Sequence, residues 1–183
     1  MGASAWEYFV PFQSDIGAAP ATLRRRVFEA ADYYREPVDA DAPEPTYEDM
    51  VELAGDLLDM TAENQAGFLA GLLEDSLEAH RRARLPVTDI DSLLAAQADG
   101  GTHSILDITQ GVSELPREGA MSPMTGDELI ASFGTPRPSH QQVRAWLDDL
   151  GRTVSRPRGQ GLYVVVYDGD VPSEICFEGY SGD

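Results

Sequence analysis

Hydrophobic side chains change their spacing several times along this chain, and each change marks an element. The opening run Trp6-Glu7-Tyr8-Phe9-Val10-Pro11-Phe12 is aromatic-rich and reads as a strand. Pro11 lacks a backbone donor, which places it at the end of that strand or on a sheet edge. Leu23, Val27, Ala30 and Ala31 then follow helical spacing, predicting a helix over roughly residues 16–34, with Ser14 or Asp15 placed to cap it and Pro20 in its first turns. Residues 36–45 are rich in Pro, Asp and Ala and read as a flexible connector. Thr46 with Asp49 forms a capping box for a helix whose stripe is Met50, Leu53, Ala54, Leu57 and Leu58. Thr61 opens a longer helix through Phe68, Leu69, Leu72, Leu73 and Leu77 to about Arg84, which Pro86 closes.

The second half begins with a short helix capped by Thr88 or Asp89. Gly100-Gly101 turns the chain into Thr102–Ile108, a candidate strand. Thr125 with Glu128, and Ser139 with Gln142, are capping boxes ahead of Leu129-Ile130-Phe133 and of Val143-Trp146-Leu147-Leu150. The period then drops to two: Leu162–Tyr167 is a β run, Asp168-Gly169-Asp170 turns it, and Glu174–Glu178 alternates as a half-buried strand does. Strand patterns at both ends with helical patterns between them predict an α+β fold. Its sheet is small and mostly antiparallel, includes the C-terminal hairpin, and carries several helices over one face. A length of 183 residues fits a single domain over 1–183.

Composition sharpens the partners. Thirty-two acidic residues stand against 13 basic ones, all Arg, for a formal charge of -19. Such a surface repels phosphate backbones and anionic headgroups, which disfavours nucleic acid and membranes and favours a basic protein partner. Nine acidic residues and no basic one lie between Glu36 and Asp59. Glu48, Glu52 and Asp56 share a helical face there, making them candidates to meet that partner. The chain has a single cysteine, no stretch resembling a signal peptide and no long apolar run, which reads as a cytoplasmic protein.

Motifs exclude more than they offer. A chain without Lys has no P-loop, no Gly-x-Gly-x-x-Gly follows an opening strand, and no cofactor is expected. His80, His103 and His140 are far apart and Cys176 has no partner at zinc spacing, so no metal site is expected either. The catalytic candidates are His103, Ser104 and Asp107, with Cys176 reaching His103 across the sheet, as covalent chemistry needs a nucleophile beside its base. Arg24 and Arg25, Arg81 and Arg82, and Arg156 and Arg158 are candidates for an anion site, since guanidinium binds carboxylate and phosphate in a two-pronged way.

The segments Gly101–Ile108, Phe133-Gly134-Thr135-Pro136 and Phe177–Asp183 are similar to those of small uncharacterised acidic proteins of actinobacteria, a resemblance that implies no activity. The expected function is therefore an acidic interaction module, an inhibitor or immunity-like partner of a basic protein. The alternatives are a small hydrolase or transferase using His103 with Ser104 or Cys176, and a structural or stress protein kept soluble by its charge.

Overall fold

The computed structural model describes residues 4–39, 41–55, 62–97, 100–152 and 154–181. Contacts cluster into two compact units, one made of residues up to Arg35 together with those after Gln97, the other Glu36–Gln97.

The first unit is an α+β fold around one four-stranded sheet. Its elements are β1 (Ala5–Pro11), α1 (Ala19–Glu29), β2 (Met121–Pro123), α5 (Gly126–Phe133), α6 (His140–Leu147), β3 (Gly161–Asp168) and β4 (Val171–Tyr180). The second unit supplies α2 (Tyr47–Ala54), α3 (Ala62–Ala83) and α4 (Ile90–Ala96). The sheet order is β1-β4-β3-β2, with the C-terminal hairpin β3–β4 at its centre. Its pairs are antiparallel except β2 with β3.

Register fixes the two faces. Phe9 lies opposite Cys176 and Cys176 opposite Val164, so these share a face. On that face Cys176, Leu162, Val164 and Val166 pack with Val143 and Trp146 of α6 and Leu129 and Phe133 of α5. Trp6, Tyr8 and Val10 take the other face, where Val10 shares a cavity wall with Ala19 and Leu23 of α1. Helices thus flank both faces, because Ile175 and Phe177, fully buried on the α1 side, need cover as much as Cys176 does.

Local chemistry sets the helix ends. Thr125, Ser139 and Thr46 each cap reciprocally with the residue three places on, as Asp89 does with Ser92. The expected helix over 16–34 is shorter: a 3-10 turn at Ile16–Ala18 leads into α1, which stops at Glu29. There Asp32 N donates to Val27 O in a Schellman-type closure, with Ala31 at φ +53 where Gly is usual. The candidate strand at 102–108 is a 3-10 turn, Ile105–Asp107, capped by the Ser104 hydroxyl. Leu150 lies beyond α6 and is fully exposed, and Leu53, expected in the buried stripe of α2, is 66% exposed. In the second unit Met50, Ala54 and Leu69 form the buried centre, with Leu72 and Leu73 against it. Leu57, Leu58 and Thr61 lie outside the described residues.

Each unit draws its own chain ends together, the first at Tyr34 and Thr102, the second at Glu36 and Gln97. Tyr34 N donates to Thr102 O at 2.7 Å, and Glu36 N donates to the Gln97 side chain at 3.3 Å.

Candidate functional site

The turn carrying His103 is built around one carboxylate. Gly101 and His103 both have positive φ, +63 and +50, and bend the chain on either side of Thr102. Thr102 N and Oγ1 each donate to Asp107 Oδ1 at 2.8 Å, and Ser181 Oγ donates to Oδ2 at 2.7 Å. Since the Thr102 proton goes to Asp107, Ser104 donates to Thr102 Oγ1 across 2.8 Å while its own oxygen accepts from Leu106 N. Thr102, Ser104 and Ser181 are fully buried. Asp107 therefore closes the turn and ties it to the chain just after β4. The half-buried His103 ring stacks on Tyr34, centroids 4.6 Å apart.

Tyr8 on β1 adjoins this network. Burial pushes its phenol up to about 12, with the Asp32 carboxylate adding to the effect, while Arg26 acts the other way. Cys176 lies on the opposite face of the sheet, wholly buried against α6. Burial raises its thiol pKa strongly, and the carboxylates of Glu7, Glu178 and Glu174 raise it further. His103, Ser104 and Asp107 thus share a turn, and the sheet separates them from Cys176.

The arginines are dispersed. Arg24 donates to Leu106 O at 3.1 Å, and Arg25 is exposed. Arg156, 8% exposed, grips Glu128 with two bonds of 2.9 and 3.0 Å and also donates to Ser122 Oγ and Pro123 O. Arg158 is exposed. In the second unit Arg81 is exposed and Arg82 pairs with Glu78 at 2.7 Å.

Sequence reasoning missed a polar pair on the α6 face. Arg152 pairs with the nearly buried Glu178, donates to Tyr180 Oη, and lies over the Trp146 ring at 4.8 Å. Burial raises the Glu178 pKa, against the pull of Arg152 and Arg156. Alternation along β4 placed Glu178 on the Cys176 face, but the spacing held no sign of which arginine would meet it.

The second unit concentrates the negative charge. Residues 36–97 hold 15 of the 32 acidic side chains and three of the 13 arginines. On α2, Glu48 and Glu52 are exposed, while Asp56 lies outside the described residues. Large apolar side chains stand among these acids: Tyr47 is 45% exposed, Val51 46% and Leu53 66%. Tyr47 and Val51 form one i,i+4 stripe, with Glu48 and Glu52 a second stripe beside it.

No helix among the described residues is long and apolar enough to cross a membrane. Among the described residues no three His, Cys, Asp or Glu side chains converge as metal ligands would. Comparison with protein-family models, curated proteins and solved structures finds no match for the chain.

Proposed function

We propose that the protein is an interaction module whose residues 36–97 offer α2 to a basic protein partner, in the manner of an inhibitor or immunity protein. The observation that supports this most is the exposure of Tyr47, Val51 and Leu53 among Glu48, Asp49 and Glu52. Exposed apolar side chains give a partner surface to bury, and the surrounding field steers a basic protein toward it. The two contributions separate kinetically, because long-range charge acts on association while close packing acts on dissociation.

Affinity capture from cells that make the protein, followed by kinetics with the purified partner, tests the reading. Wild type is expected to recover a basic protein whose association slows as salt rises. Glu48→Lys with Glu52→Lys should slow association about tenfold at low salt. Val51→Asp with Leu53→Asp should speed dissociation by more than about tenfold, as losing apolar contact does. A partner whose binding ignores both pairs of substitutions defeats the proposal.

A further inference from the structure

Between the end of β1 and α1 lies a cavity of about 270 Å³. Ala19, Thr22, Leu23 and Arg26 contribute from α1 at i, i+3, i+4 and i+7, so a single helical face lines one wall. Val10 and Phe12 contribute from the strand side. Ala19, Leu23 and Val10 are buried, whereas Thr22 and Arg26 sit at the exposed rim. The result is a mostly apolar slot, with Gln13 also in its lining and one cation at its mouth.

That cation contrasts with five other arginines of the described residues. Arg82, Arg137, Arg144, Arg152 and Arg156 each pair with a carboxylate. Arg26 makes no ion pair among the described residues, and its charged influence falls on the Tyr8 phenol. A guanidinium beside apolar walls binds a carboxylate through two parallel bonds and leaves the tail of the ligand to the aliphatic side chains. The volume lies just under the roughly 300 Å³ at which drug-sized pockets begin, which limits the ligand to a short chain. One cation inside a chain of charge -19 matches a monoanion better than a phosphate dianion.

We propose that this slot binds a small free monocarboxylate with a short apolar tail, its head on Arg26 and its tail against Leu23, Ala19, Val10 and Phe12. The inference is independent of the α2 surface and of any protein partner.

Octanoate titrated into the full chain, followed by amide NMR shifts and calorimetry, tests it. Saturable shifts at Val10, Leu23 and Arg26 are expected, with 1-octanol binding at least about tenfold more weakly because it forgoes the charge-assisted bonds. Arg26→Gln, at an exposed position, should weaken octanoate by about tenfold or more while leaving 1-octanol unchanged. Thr22→Trp, which fills the mouth, should abolish both. Equal binding of octanoate and 1-octanol overturns the proposal, as does undiminished octanoate binding by Arg26→Gln. Absence of saturable shifts in wild type up to about 10 mM, a concentration equivalent to less than 3 kcal/mol of binding, also overturns it.

Discussion

Arg156 and Glu178 are both charged residues taken out of water, yet they act on stability in opposite directions. The Arg156 hydrogen bonds hold the Glu128 carboxyl below its ordinary 4.5. A carboxylate lowered in the folded state stabilises above its unfolded value, and that contribution is lost as pH falls through the lowered value. Glu178 is raised by burial. Its contribution is therefore present below 4.5 and fades as pH rises through the raised value. Arg156→Met should lower stability at neutral pH by about 3 kcal/mol, since it strands Glu128 and removes the bonds to Ser122 and Pro123. It should also flatten the acid side of the stability profile, because Glu128 then loses its main reason to stay ionised. Urea unfolding across the acid range checks both, and an unchanged acid limb counts against the assignment. Arg156 was visible in the sequence as part of a basic patch. Its destination was not, because Glu128 lies on a different element 28 positions away.

At the scale of elements, what was legible depended on how local the cause is. The capping boxes of α2, α5 and α6 depend on side chains three residues apart, and each forms as read. The two ends of the chain carried period-two patterns, and β1 does pair with β4. Thr102–Ile108 misled because Ile105, Leu106 and Ile108 are all buried from a 3-10 turn, so the apolar run lacked the alternation that would separate turn from strand. β2 has three residues, too few to show a period. Leu53 fitted the helical stripe, but the neighbours that would bury it were not readable from spacing. Pairing between β1 and β4 also rests on a missing side chain: Trp6 lies across Gly179, where an added Cβ would run into the indole. Gly179→Ala should cost about 1 to 3 kcal/mol through overpacking against a rigid ring. Gly161→Ala meets the Met121 sulfur and should cost less because methionine re-packs. Thermal unfolding of the two variants ranks them, and the reverse order would contradict this account of the packing.

For the molecule as a whole, the Tyr34–Thr102 hydrogen bond holds together the two stretches of the first unit that residues 36–97 separate in sequence. Replacing them with a flexible linker of about four residues, ample for ends already hydrogen-bonded together, should leave a cooperatively melting sheet with unchanged near-UV circular dichroism. The shortened chain keeps 17 acidic residues against ten arginines. It should lose the basic partner of the α2 surface while retaining octanoate binding. Loss of cooperative melting would mean that the sheet depends on the excised residues. The same sheet has a mechanical consequence. β1 is an edge strand held by β4, and Ala5 lies opposite Tyr180 at one end of that pair while Pro11 lies opposite Glu174 toward the other. Antiparallel bonds run across the strands. A load applied between residues 5 and 180 therefore acts on the end rung of the ladder, and β1 peels away one rung after another. The same load between residues 11 and 180 runs along the strands and strains every rung together. The point of attachment thus decides whether this small sheet yields like a zipper or resists like a glued lap joint.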